Sequence, residues 1–292
     1  MRDASSAWNA PGRSGPPHLR LPEFRLFQAL LLREAGVHLA DSKQAMVAGR
    51  LMRRLKTLGL RSYHEYYRRA TSGDQRELCH LLDALTTHET RFFREPAHFE
   101  FLTQRGLPEL LGRRRSRLRA WSAACSTGEE PYTLAMVLAS EVPRESGVDL
   151  ELLASDISNR VLEHARRGVY PIERAVDIPP ALLKRFMLRG VGGQIGKMRV
   201  TPELRTLVRF EPFNLNTPDW PPSPPFDLIF CRNVLIYFDG PTRARVVERL
   251  LDRLAPDGYL FLGHAESLAG VERQVRCVQP TIYQVQKRSA SA

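Results

Sequence analysis

The stretch WSAACSTGEEPY, residues 121–132, has the residue types and spacing most suggestive of chemistry. It reads as the end of a buried strand, a loop of small residues and the start of a helix, which is where nucleotide-type ligands sit in doubly wound folds. The loop lacks G-x-G-x-x-G. Gly128 stands alone among Ala123, Ala124, Ser126 and Thr127, so a pyrophosphate cradle is not expected. Glu129 and Glu130 place negative charge at the helix start, which repels phosphate and suits a cation. Such a loop fits S-adenosylmethionine (SAM), whose ammonium and sulfonium are positive. A plain first helical turn, with acids complementing the dipole, is an equal alternative. Asp156 ends the next strand, 28 residues past Gly128 (156 − 128 = 28). An acid there accepts hydrogen bonds from ribose hydroxyls, or else caps the following helix, a role open to Ser158.

These residues need a framework of alternating strands and helices. Residues 118–124, 150–154, 208–213, 228–230 and 259–262 form short apolar runs that predict strands. Helices are expected from Pro131 through Leu138, from the Ser158 cap to Gly168, and over 242–254 until Pro256-Asp257-Gly258 stops the last. The alternation predicts an α/β fold with a doubly wound, mostly parallel sheet. Residues 169–207 break the rhythm and read as an inserted β-subdomain. Before the sheet, residues 21–95 read as helical. Phe24, Phe27, Leu30 and Leu31 recur at helical spacing, as do Leu51, Leu55 and Leu58. Ser62 with Glu65 makes a capping box, and Asp74 caps a further helix. A helical stretch over 97–111 then leads through an Arg-rich turn, 113–117, into the first strand. The flanks, 1–20 and 287–292, read as tails, and Pro221-Pro222 as linker.

At 292 residues the chain suits one large domain and a smaller one. Its four cysteines form no C-x-x-C pair, which argues against a zinc site or a secreted disulfide scaffold and fits a reducing cytoplasm. No apolar run approaches the roughly 20 residues of a membrane-spanning helix, and no signal peptide is expected at the start. The net charge of +11 favours acidic partners. Between Lys43 and Arg69 eight bases face one acid, Glu65. That run is either a solvated helical face or a docking surface, with Arg50, Arg53 and Arg54 gathered at i, i+3 and i+4.

The loop and acid, together with TTHETRFFRE (86–95), PFNL (212–215), FDLIFCRNVLIYF (226–238) and PDGYLFLGHAES (256–267), resemble the CheR family of chemotaxis receptor methyltransferases. The likeness runs in family order from about residue 22 to 286. It implies an N-terminal all-helical domain, a Rossmann-like class I SAM methyltransferase domain over 96–286 and an inserted β-subdomain near 169–207. It also implies methylation of glutamate side chains on the cytoplasmic helices of chemoreceptors, giving methyl esters and S-adenosylhomocysteine. By the same resemblance, His88, Thr90, Arg94, Glu130, Asp156, Asn214, Leu215, Cys231, Arg232 and Asn233 line the SAM pocket. His88 stands where relatives often carry Asn. Arg94 and Tyr237 are the candidates for orienting the acceptor carboxylate, although Arg94 has a local alternative, pairing with Glu89 or Glu95, and Tyr237 has another as a core aromatic.

The chemistry agrees. A glutamate carboxylate, with an ordinary pKa near 4.3, is already an anion at neutral pH and needs no general base. Attack on a sulfonium methyl neutralises charge, so alignment and exclusion of water are what a protein contributes. No metal is expected: His264, just after a strand, has no second His or Cys at ligand spacing. Cys125 reads as a small buried thiol. Two rival readings remain, a nucleic-acid methyltransferase and a non-catalytic SAM-binding adaptor. Against the first, the fourth strand is followed by CRNVLIYF and not by an Asn/Asp-Pro-Pro-aromatic motif. Against the second, Gly128, Glu130, Asp156 and Tyr237 are all present. Gly190, Gly192 and Gly196 lie in RGVGGQIGKMRV, residues 189–200. They make either a hairpin turn or a docking edge for a receptor's C-terminal pentapeptide. The chain is expected to be a cytoplasmic monomer that meets membranes only through receptors and binds no nucleic acid.

Overall fold

The computed structural model describes residues 17–113, 116–220, 224–268 and 275–285. The C-terminal tail, the Pro221-Pro222 linker and residues 1–16 of the N-terminal tail lie outside the described residues. The chain divides into two compact units between Thr87 and His88, so nearly all of the TTHETRFFRE motif belongs to the second. The sequence-based boundary at residue 95 falls inside that second unit.

The first unit is helical: α1 (Leu21–Ala35), α2 (Gln44–Leu58), α3 (Tyr63–Ala70) and α4 (Gln75–Leu85). Its order reaches back into the expected tail, where Leu19 is buried. The apolar stripes fill its core, with Phe24, Phe27, Leu30, Leu31, Leu51 and Leu55 fully buried. Ser62 Oγ accepts the Glu65 amide and Asp74 accepts the amides of Arg76 and Glu77, so both expected caps form.

The second unit opens with α5 (Ala97–Phe101) and α6 (Leu107–Leu111), separated by a π-helical turn over Leu102–Gly106. The stretch 97–111 is helical throughout, as expected, with its middle wound as a π turn just before Pro108, which has no N–H to donate back into that turn. Strands and helices then alternate: β1 (Arg117–Ala123), α7 (Glu129–Glu141), β2 (Asp149–Asp156) and α8 (Asn159–Arg167). The insert follows, with β3 (Val169–Pro171), α9 (Pro180–Phe186), β4 (Met187–Arg189), β5 (Lys197–Val200) and α10 (Pro202–Leu207). The sheet resumes with β6 (Val208–Pro212), β7 (Phe226–Cys231), α11 (Gly240–Asp252), β8 (Leu254–Leu262), β9 (Val275–Gln279) and β10 (Ile282–Val285).

The main sheet runs β6-β2-β1-β7-β8-β10-β9. Its first four pairings are parallel and the last two antiparallel. Side chains alternate across it with the period of two that a strand imposes. Leu118, Ala120, Leu228, Phe230, Tyr259 and Phe261 join one core with α7 and α8. Trp121, Ala123, Ile229, Cys231, Leu260 and Leu262 join the other with α11. Pro256-Asp257-Gly258, expected to precede the last parallel strand, lies inside β8, where the pairing with β7 shifts register and Asp257 takes φ 66°.

The insert makes a separate antiparallel sheet, β3-β5-β4. A Cβ on Gly190 would meet the Gln194 carbonyl oxygen at 2.0 Å, and Gly192 and Gly196 take φ 55° and 83°. The turn itself therefore accounts for all three glycines.

Candidate active site

β1 pairs with β2 on one side and β7 on the other, so the strand order reverses there and a crevice opens beyond the C-terminal ends. The loops after β1, β2, β7 and β8 meet at this crevice, and the segment 88–95 is tied across them. Ser126 Oγ donates to the His88 carbonyl at 3.0 Å, and the Phe93 amide donates to Thr133 Oγ1 at 3.1 Å. Arg232 Nη2 donates to the Arg94 carbonyl. Phe93, Glu95, Ala124, Ser126 and Asn233 all take positive φ, between 49° and 67°. Each costs a non-glycine residue roughly 1–3 kcal/mol, so the surrounding bonds must over-determine the shape.

The electrostatic centre is a buried chain of charges. Arg232, 1% exposed at its side chain, donates to Glu95 Oε2 at 3.0 Å and to Glu130 Oε2 at 3.2 Å. Ser122 Oγ donates to the other Glu130 oxygen at 2.7 Å, while Asn233 Nδ2 and the His264 amide donate to Glu95 Oε1. Burial acts to raise the Glu95 pKa, but the Arg232 charge and these donors together hold it below the ordinary carboxylate value. At Glu130 burial prevails over Arg232 and Ser122 and raises the pKa. Arg232 also lies over the Phe99 ring, 5.7 Å from its centroid.

Asp156, almost fully buried, accepts the Ser126 amide at 2.9 Å and the Ser158 amide at 3.0 Å, so it shapes the β1 loop from the neighbouring strand. Ser158 Oγ caps α8 through the Val161 amide. Gly128 takes φ 99°, and a Cβ there would meet Ala165 Cβ at 2.7 Å and Tyr170 Oη at 2.8 Å. Tyr170 of the insert donates to the Thr127 carbonyl at 2.8 Å, tying the insert to the same loop.

The structure thus brings His88, Thr90, Arg94, Glu130, Asp156, Arg232 and Asn233 to one set of loops. Phe213 donates its amide to the Asp156 carbonyl at 2.9 Å, which places Asn214 and Leu215 at the end of β6 beside them. Leu215 and Cys231 are buried in the core, and the Arg232 guanidinium is sealed in its ion pairs, so Cys231 and Arg232 meet the crevice as framework. Arg94 does not pair with Glu95, which Arg232 claims; its Nη1 donates to the Glu89 carbonyl at 2.9 Å. Tyr237 is half-buried at the end of a 3-10 turn, Leu235–Tyr237. That turn hangs on Glu266, whose carboxylate accepts the amides of Asn233, Leu235, Ile236 and Gly263. The structural parts played by Glu95, Ser122 and Glu266 have no signature in sequence spacing. Each acts on a residue from another strand end or loop.

In the helical unit, Arg54 forms a bidentate pair with the buried Glu77, at 2.8 and 2.6 Å. Arg50 donates to the carbonyls of Leu85 and Thr86 at the C-terminus of α4. Of the three expected docking bases, Arg53 is exposed, while Arg50 and Arg54 are half-buried.

A mostly parallel sheet with a small acidic loop after its first strand and an acid ending the second defines the class I SAM-dependent methyltransferases. The donor set suits that ligand: carboxylates stand at the β1 loop and the β2 end, where a cation and a diol would lie. Residues 88–284 match the family model described as CheR methyltransferase, SAM binding domain, and residues 22–86 match CheR methyltransferase, all-alpha domain. The chain is 44% identical over 268 residues to "Chemotaxis protein methyltransferase 2" of Pseudomonas aeruginosa, covering 91% of this chain and 94% of that one. It is 41% identical over 265 residues to the "Chemotaxis protein methyltransferase" of Escherichia coli, covering 90% and 91%. The Salmonella typhimurium protein of the same name is 40% identical over 268 residues, covering 91% of each chain. The chain belongs to the CheR methyltransferase family and is a SAM-dependent methyltransferase. Among the described residues no helix is long and apolar enough to cross a membrane.

Proposed function

We propose that the acceptor is the side-chain carboxylate of glutamates on chemoreceptors, yielding glutamate methyl esters and S-adenosylhomocysteine in the cytoplasm. The state of Arg94 carries this reading. Its half-buried guanidinium donates to a backbone carbonyl and, among the described residues, makes no ion pair, so its charge is left for an incoming anion. When bound, SAM supplies an electrophilic methyl on a sulfonium. Arg94 and Tyr237 hold the carboxylate in line, and no proton has to move, because the nucleophile is already ionised. Thr90, Glu130, Asp156, Asn214 and Leu215 hold the cosubstrate, with His88 and Asn233 bordering it. The Arg232 pairs fix the crevice before either ligand arrives.

Receptor contact is assigned to two surfaces. Arg53 on α2 offers a cation to an acidic helical bundle. In the insert, Val176, Leu188, Val191 and Ile195 are 50–87% exposed on and around a sheet whose edge strands are β3 and β4. Apolar side chains beside an open edge support docking of a C-terminal receptor pentapeptide as an added strand. The protein is read as a monomer with no nucleic-acid partner. Incubation with methyl-labelled SAM and receptor cytoplasmic fragments should give label that mild alkali releases, as an ester requires. Alkali-stable label, or label transferred to nucleic acid, would overturn the reading.

A further inference from the structure

Two histidines that the methyl-transfer reading does not use converge on Glu95 beside the crevice. His98 lies in α5, 1% exposed, and His264 follows β8 with its side chain 60% exposed. Their rings stand 5.4 Å apart at 82°. Both face one carboxylate oxygen: His98 Nδ1 is 3.5 Å from Glu95 Oε2, and His264 Nε2 is 3.9 Å from it. The three ligand atoms all lie within 4.8 Å of one another.

His98 Nε2 shares a hydrogen bond with Thr281 Oγ1, 2.8 Å away. His98 Nδ1 is buried, has no hydrogen-bond partner and faces Glu95. A cation shared across this 3.5 Å gap would give Nδ1 the partner it lacks. Ligands of a tetrahedral ion, bound at about 2.0–2.2 Å, are roughly 3.3–3.6 Å apart, close to this spacing. Arg232 sits against the same Glu95 oxygen and opposes a second cation, while Glu130 on its other side reduces that opposition.

We propose that Glu95, His98 and His264 form a site for one divalent transition-metal ion of the zinc type, its remaining position open to solvent beside His264. Two imidazoles and one carboxylate select such an ion over magnesium or calcium, which prefer all-oxygen ligands. The site makes no claim on the methyl-transfer chemistry.

The full chain, stripped with chelator, would be titrated with Zn2+ by calorimetry and with Co2+ as an optical probe. One equivalent should bind with micromolar or tighter affinity, and Co2+ should show the visible bands of a low-coordinate site. His264→Ala, at an exposed position, should weaken binding at least tenfold and remove the bands. His98→Gln should do the same, and His18→Ala should change neither. No uptake, equal uptake by His264→Ala and the parent chain, or loss of binding in His18→Ala would overturn the proposal.

Discussion

Arg232 Nη2 lies 3.0 Å from Glu95 Oε2, joining residues 137 apart in the chain inside a buried site. The pair holds the 88–95 segment against the end of β7. Replacing Arg232 by Met keeps much of the volume and leaves two buried carboxylates without their cation. The loss should be about 3–5 kcal/mol at pH 7, the usual cost of breaking a buried pair. Urea unfolding at pH 7 and pH 5 checks it: the deficit should shrink at pH 5 as the unpaired acids take up protons. A deficit below about 1 kcal/mol at pH 7 would mean the pair behaves as a solvated one.

His98 gives a second pH signature. Its pKa falls from 6.5 to about 4 on folding, so below pH 6.5 the unfolded chain binds a proton that the folded chain refuses. The His98 contribution is complete above pH 6.5 and is lost as pH falls toward 4, on the order of 3 kcal/mol in all. The lowered pKa of Glu95 acts in the same direction at more acid pH, below the ordinary carboxylate range. Unfolding free energies between pH 4.5 and 7 should show a slope that His98→Gln reduces. An unchanged slope would remove His98 as its source.

Asp156→Ala should weaken both SAM and S-adenosylhomocysteine. Removing a ribose acceptor of this charged kind costs about 1.5–3 kcal/mol, or roughly 10- to 100-fold in affinity. The Ser126 and Ser158 amides would lose their acceptor too, so the β1 loop should loosen. Calorimetry with the product is the direct measurement, and unchanged affinity would take Asp156 out of the site.

Arg94→Ala and Tyr237→Phe should lower the single-turnover rate by one to two orders of magnitude, roughly what a lost orienting contact costs. SAM affinity should fall much less. Equal losses in rate and in SAM affinity would move the residue from the acceptor side to the cosubstrate side.

The basic run on α2 should divide by role. Arg53→Glu should raise the receptor KM and weaken its salt dependence without affecting stability. Arg54→Ala should cost about 2–4 kcal/mol, because Glu77 is 3% exposed and would be left buried without its partner. Thermal unfolding alongside methylation kinetics separates the two, and an unaltered KM for Arg53→Glu would leave the run a solvated face.

How much of this was legible beforehand depends on the range of the interaction. Ser62, Asp74 and Ser158 cap helices as their neighbours in sequence require, because a cap bonds residues two or three positions away. The five apolar runs became strands because alternate residues must bury on opposite faces. The β9–β10 hairpin was not anticipated: its strands are short, partly exposed and held at the sheet edge by β8. The π-helical turn follows from Pro108 inside a run whose apolar pattern still reads as helix.

Local patterning by itself determined the α/β alternation, the helical first unit and the small acidic loop after β1. Each is written in periods of two or 3.6 residues, or in one contiguous motif. Tertiary structure alone decided how the charges are used. Arg50 and Arg54 point inward, Arg232 is shared between two glutamates, and Glu95 is drawn from Arg94 to Arg232. It also brought His264 to His98, which no spacing rule connects. A charge or an imidazole has no periodicity to reveal its partner. Its energy depends on distance and on the water excluded around it, and both are set only when distant strand ends come together.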